Sequence, residues 1–140
     1  MTEHEIKLVQ DSFGIIRPIT ETAATLFYGR LFSMAPELRP MFKGDMTEQG
    51  RKLMTMLALV VVSLDRLENI LPSIRELGIG HAGYGVKVEH YPIVGEALLW
   101  TLENGLGPAF TDEVKAAWIS AYTVLATTMQ DAAEAHIAKA

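Results

Sequence analysis

His81 is the residue of this 140-residue chain whose surroundings most suggest chemistry. It lies in Leu77-Gly78-Ile79-Gly80-His81-Ala82-Gly83-Tyr84-Gly85, just past the apolar positions Ile70, Leu71, Ile74 and Leu77. Glycine on both sides lets a bulky planar group approach the backbone, and imidazole is a good axial ligand for iron held in such a group. A second cluster stands upstream. Gln49 and Leu53, four residues apart, share one face of a helix. The glycines do not make a phosphate loop, because no strand precedes them and no Lys-Ser/Thr pair follows.

Composition narrows the classes. Acidic residues number 17 against 12 basic ones, the net charge is -5 and no long basic run occurs. That argues against a nucleic-acid groove or an anionic-membrane surface. The absence of cysteine excludes disulfides, thiolate metal sites and thiol catalysis. The start Met1-Thr-Glu-His-Glu is acidic and lacks a signal-peptide core, so a cytoplasmic location is expected. The apolar run from Met56 to Leu64 is too short to cross a bilayer and reads as a buried helix.

The elements that must position His81 and Gln49 are helical. Ile6, Val9, Phe13 and Ile16 make one apolar face, ended or bent at Pro18. A second helix is expected from Thr20, as its cap, to about Met34, burying Leu26, Phe27 and Leu31. Pro36 opens a short helical turn ending near Phe42. Thr47 is expected to cap a helix to about Leu64, with Leu53, Leu57, Val60 and Leu64 in period and Arg51 and Lys52 pointing elsewhere. A helix from Glu68 to Leu77, extending at most to His81, has Pro72 in its first turn. Another begins at His90-Tyr91-Pro92, with Val94, Leu98 and Leu102 inward, and stops at Gly105 or Gly107. Thr111 caps the last, whose stripe is Val114, Trp118, Tyr122, Leu125 and Met129; the tail beyond Asp131 is expected to fray. Six or seven helices of unequal length, with no convincing strand, predict an all-α fold in one domain over 1–140.

Several strings, in this order and spacing, resemble the globin family. They are Leu26-Phe27-Tyr28-Gly29-Arg30-Leu31-Phe32, Pro36-Glu37-Leu38-Arg39-Pro40-Met41-Phe42 and His90-Tyr91-Pro92-Ile93-Val94-Gly95-Glu96-Ala97-Leu98-Leu99. The likeness covers about residues 3 to 132 and is strongest to single-domain bacterial haemoglobins and the haem domains of flavohaemoglobins. Leu106-Gly107-Pro108-Ala109-Phe110-Thr111 and Ala116-Ala117-Trp118 are similar to neuroglobin. The resemblance implies a globin fold, a three-over-three helical sandwich around haem b. It implies His81 as proximal iron ligand, Phe42 stacked on the haem, and Gln49 and Leu53 on the distal wall. Tyr28 would aim its hydroxyl at bound ligand, and Tyr91 would lie on the proximal side. Lys52 would reach a propionate, Val86 the ring edge, and Val94 would join the haem contacts. The flavohaemoglobin pattern pairs a tyrosine like Tyr91 with a glutamate of the last helix. Here Ala133 holds that register and Glu134 stands one residue off, about 100° around the helix. The strong electronic push of a peroxidase is therefore in question.

The function so implied is reversible dioxygen binding at ferrous iron, as an oxygen carrier or buffer. Tyr28 and Gln49 also suit a nitric oxide dioxygenase, which turns nitric oxide and dioxygen into nitrate. With the sequence ending at Ala140, its reductase is expected as a separate partner. Other readings are a weak peroxidase, a carrier of carbon monoxide or sulfide, and a haem-free helical interaction module. A monomer or weak homodimer is expected.

Overall fold

The computed structural model describes residues 1–139, and its helices start where the sequence supplies first-turn chemistry. The first, α1 (Glu3–Ile16), opens on a reciprocal cap. Thr2 accepts the Glu5 N–H at 3.1 Å, and the Glu5 carboxylate accepts the Thr2 N–H at 3.0 Å. A 3₁₀ turn through Pro18 leads into α2 (Thr20–Met34). Thr20 is the first helical residue rather than the cap, because the preceding turn already runs helically into it. Ala23, Ala24, Phe27, Tyr28 and Leu31 form the buried face of α2, and Leu26 is turned half outward.

A 3₁₀ stretch, Pro36–Met41, delivers Phe42. Helix α3 (Met46–Val62) follows, capped by Asp45 in place of Thr47, with Asp45 Oδ1 accepting the Thr47 N–H at 2.9 Å. Leu64 falls in the next 3₁₀ turn, and α4 (Leu71–Gly83) begins at Leu71, not Glu68. Pro72 sits in its first turn, where no N–H is missed. The helix runs through His81, because the glycines here continue it instead of ending it. Then come α5 (His90–Leu106), stopped by Gly107 at φ 56°, and α6 (Asp112–Lys139). Thr111 accepts the Val114 N–H at 3.2 Å. The alanine-rich end of α6 stays helical to Lys139 where fraying was expected, in keeping with alanine's high helix propensity.

No strand occurs among the described residues, and the fold is all-α. α1, α3 and α4 make one layer over α2, α5 and α6. Packing is densest between α4 and α6, α2 and α5, α1 and α6, and α2 and α3. Among the described residues, no close helix packing joins α3 to α4 or α4 to α5, so the upper layer is parted between α3 and α4. Among the described residues, no buried side-chain nitrogen or oxygen of the core lacks a hydrogen-bond partner. Trp118 is fully buried, and its Nε1 donates to Ser12 Oγ at 2.9 Å.

Two glycines set how closely the layers meet. A Cβ on Gly78 would fall 2.3 Å from the backbone oxygen of Met129, so α4 rests on α6 backbone to side-chain-free backbone. A Cβ on Gly50 would lie 2.9 Å from Ala24 Cβ, where α3 crosses α2. Gly80 faces open space. Gly78→Ala is expected to cost about 1–3 kcal/mol in urea unfolding by overpacking. Gly80→Ala is expected to gain about 0.4–1 kcal/mol by stiffening the unfolded chain. Equal effects of the two substitutions would contradict the close α4–α6 crossing.

Candidate functional site

The close crossing at Gly50 and Ala24 brings Gln49 beside Tyr28. Gln49 Nε2 donates to Tyr28 Oη at 3.3 Å. The phenol oxygen is thus the acceptor of this pair, and its own proton remains free to be aimed at a third group. Tyr28 is 8% exposed. Burial pushes its phenol above the ordinary value of 10, and the Gln49 bond pulls weakly the other way, so it stays a neutral donor at physiological pH. Its ring is held on three sides. Phe27 and Phe42 meet it edge-on at 5.0 and 5.4 Å, and Phe32 stacks at 5.8 Å. Phe42 also meets Phe32 edge-on at 5.3 Å.

On the other side of the slot, α4 carries half-buried His81. The backbone acceptor expected in the turn before it is the Leu77 carbonyl, 2.7 Å from His81 Nδ1. A carbonyl can only accept, so Nδ1 donates to it, and Nε2 is the nitrogen left to face a ligand. The Val86 N–H returns to the His81 carbonyl at 3.0 Å, which folds the following segment back on the histidine. His90 Nδ1 accepts the Lys87 N–H at 2.9 Å and so anchors the same segment to the start of α5.

The structure thus joins Tyr28, Gln49 and Phe42 by direct contact, and His81 and Val86 by a backbone bond. Leu53 and Val94 are half-buried apolar residues packed against the core. Lys52 is exposed and has no ion-pair partner among the described residues. Tyr91 is half-buried at the start of α5, and its hydroxyl has no hydrogen-bond partner among the described residues. Glu134 is exposed on α6 and makes no bond to it. The glycines around His81 divide into two kinds. Gly78 seats α4 on α6, while Gly80 and Gly83 face open space.

Sequence reasoning missed three supports. Phe32 completes the cage around Tyr28. Arg39 spans it, its guanidinium 5.5 Å from the Phe32 ring centroid and donating to the Phe42 carbonyl at 2.8 Å. Tyr122, read from its stripe as core, donates its hydroxyl to the Tyr91 carbonyl at 2.6 Å. Gly95 makes room for that ring, since a Cβ there would lie 2.8 Å from it. A lone glycine inside the apolar period of α5 was the available signal for this close approach.

Comparison with known proteins shows the family and the fold. The sequence model of the globin family matches residues 25–129, and the chain belongs to the globin family. A flavohemoprotein of Bacillus subtilis is 36% identical over 126 residues, 86% of this chain but 31% of its own length. The chain therefore spans about a third of the flavohemoproteins it matches. An uncharacterized globin-like protein of Aquifex aeolicus is 32% identical, with 92% of this chain and 91% of that protein aligned. Among solved structures, a bacterial globin from Campylobacter jejuni superposes with a TM-score of 0.85 at 30% identity, covering 97% of this chain and 99% of that one. A Rhodothermus marinus protein, described as a candidate nitric oxide dioxygenase and engineered into a carbene transferase, gives 0.89 at 28% identity, covering 99% and 96%.

Membership of this family implies haem, and the donor set fits it. His81 offers an Nε2 whose ring is oriented by the Nδ1–Leu77 bond. Phe42, Leu53, Leu57 and Val94 offer apolar surface that the protein covers only in part. No group of three or more histidine, aspartate or glutamate side chains that could hold a bare metal ion exists among the described residues.

Three phenols make the site's surroundings sensitive to alkali. Burial raises Tyr28, Tyr91 and Tyr122 above the ordinary value of 10, and for Tyr122 the nearby Tyr91 adds to the rise. The unfolded chain therefore loses these protons first. Their stabilising contribution is complete below pH 10 and is lost as the pH climbs through the raised folded values. The thermal midpoint is expected to fall more steeply above pH 10 in the native protein than in Tyr122→Phe; parallel curves would contradict a buried, neutral Tyr122.

Proposed function

We propose that the chain holds haem b in the slot between α3 and α4, with His81 Nε2 as the proximal ligand, and binds dioxygen reversibly. Residues 1–140 are read as one globin domain. The observation that carries this reading is the pairing of two preset groups on helices that do not pack on each other. One is the His81 imidazole, oriented by the Leu77 carbonyl at 2.7 Å. The other is the Tyr28 hydroxyl, oriented by Gln49 at 3.3 Å. A haem-free interaction module would need neither.

Haem, when bound, supplies a ferrous iron that takes a diatomic gas. The rest of the work falls to the chain. Leu77 fixes the ring of His81 and turns its Nε2 toward the slot. Phe42 and Leu53 would cover the two faces of the slot, Val86, Tyr91 and Val94 its proximal side, and Lys52 would meet a propionate at the solvent edge. Tyr28 presents a donor O–H to a polarised ligand and Gln49 steadies it, so dioxygen gains more than carbon monoxide, which carries less charge. The acceptor at His81 Nδ1 is a carbonyl and not a carboxylate, so His81 would lend a bound iron only a modest electronic push. This favours holding dioxygen over cleaving it, and weighs against a peroxidase.

Nitric oxide dioxygenation is the second reading, favoured by the Tyr28–Gln49 pair and by similarity to flavohemoproteins and to the Rhodothermus marinus protein. It needs electrons from a reductase. We read the protein as cytoplasmic, and no helix among the described residues is long and apolar enough to cross a membrane.

Tyr28→Phe removes the free hydroxyl and is expected to raise the dioxygen off-rate well over tenfold, in line with about 1.5–3 kcal/mol for a charge-assisted bond. An unchanged off-rate in flash or stopped-flow measurements would take Tyr28 out of the mechanism. Nitric oxide consumption over many cycles with a reductase present decides between the two readings; capture of a single equivalent fits the carrier.

A further inference from the structure

Away from that slot, an open cleft of about 380 Å³ lies where the end of α1, the 3₁₀ turn after it and the start of α2 meet the middle of α3. Its size lies in the range of small-molecule sites. Phe13, Met54 and Ala58 form an apolar wall, and Arg17, Thr20, Arg51 and Thr55 bring polar groups to it. The lining thus holds two cations and no carboxylate, in a chain whose net charge is -5.

These polar groups are poorly engaged by the protein itself. Arg17 lies over the Phe13 ring, 5.3 Å from its centroid, and has no ion-pair partner among the described residues. Among the described residues, Arg51 pairs only with Glu48, on its own helix, at 3.4 Å, and both side chains are more than half exposed. Such a pair yields readily to a better-placed anion. Thr25, Thr101, Thr123 and Thr128 return their hydroxyls to the carbonyl four residues back. Thr20 and Thr55 have no side-chain hydrogen bond among the described residues, and both line the cleft.

We propose that this cleft binds a small organic anion, one phosphate or carboxylate group joined to an apolar body. The two guanidinium forks match the oxygens of such a group, and the threonine hydroxyls add donors. Met54 and Ala58 receive the apolar body. A bound anion would tie Arg17, at the end of α1, to Arg51, two residues from Gln49 on α3. The site is separate from the haem slot and does not depend on the haem reading.

Isothermal titration of the purified protein with phenyl phosphate, benzoate, inorganic phosphate and benzyl alcohol tests this. Phenyl phosphate or benzoate is expected to bind once per chain, about tenfold or more tighter than inorganic phosphate or benzyl alcohol; whichever of the two is tighter identifies the acid group. Arg51→Ala and Arg17→Ala are each expected to weaken that binding by about fivefold or more, and Thr55→Val, which leaves both charges in place, by about twofold. Absence of saturable binding overturns the proposal. So does unchanged affinity in a folded Arg51→Ala, or inorganic phosphate binding as tightly as phenyl phosphate.

Discussion

The hydrogen bond from His81 Nδ1 to the Leu77 carbonyl is the constraint on which the rest of the site depends. It forms because α4 does not stop at its first glycine. Continued helix puts His81 one turn after Leu77, the carbonyl within reach and Nε2 pointing away from it. A helix ending at Leu77 would leave the imidazole free to rotate and to choose either tautomer. Gly78 contributes from the next position. By letting α4 lie on the backbone of α6, it fixes the height at which His81 is presented.

The opposite wall is built by similar means with different chemistry. Gly50 lets α3 come close to α2 at Ala24, and Gln49 and Tyr28 meet one step along that crossing. Aromatic edges from Phe27 and Phe42, with Phe32 stacked behind, remove the ring's freedom, and Arg39 ties Phe42 to Phe32. Two walls, each preset by packing within its own helix pair, need no contact with each other. That arrangement suits a flat group entering between them, because its binding then pays little for ordering side chains.

The helices were legible wherever an apolar period met a recognisable start. The α1 face, the Thr111 cap and the stripe from Val114 through Trp118 to Met129 all appear as the spacing predicts. Boundaries were harder. Asp45 displaced Thr47 as a cap because either oxygen can meet an early N–H, and only the backbone of residue 45, extended at ψ 123°, decides between them. The reach of α4 could not be read from glycines that are individually poor helix formers, since the gain that keeps them helical is the tertiary seat on α6. Among the site residues, His81 and Gln49 carried signals in type and spacing, and Tyr28 and Phe42 came from the family resemblance. Tyr122 carried none, because its part is set by a bond to Tyr91, 31 residues away; Phe32 and Arg39 carried none, because their local contacts depend on how the chain turns between α2 and Phe42.

Titration of the purified protein with hemin, native and as His81→Ala, tests the central claim most directly. The native chain is expected to take up one equivalent with a sharp Soret band and, on reduction, to give a five-coordinate ferrous spectrum with an iron–imidazole stretch in resonance Raman scattering. His81→Ala is expected to retain hemin poorly and to lose that stretch. A native protein that stays colourless with added hemin, or a His81→Ala variant that keeps the same stretch, would contradict it.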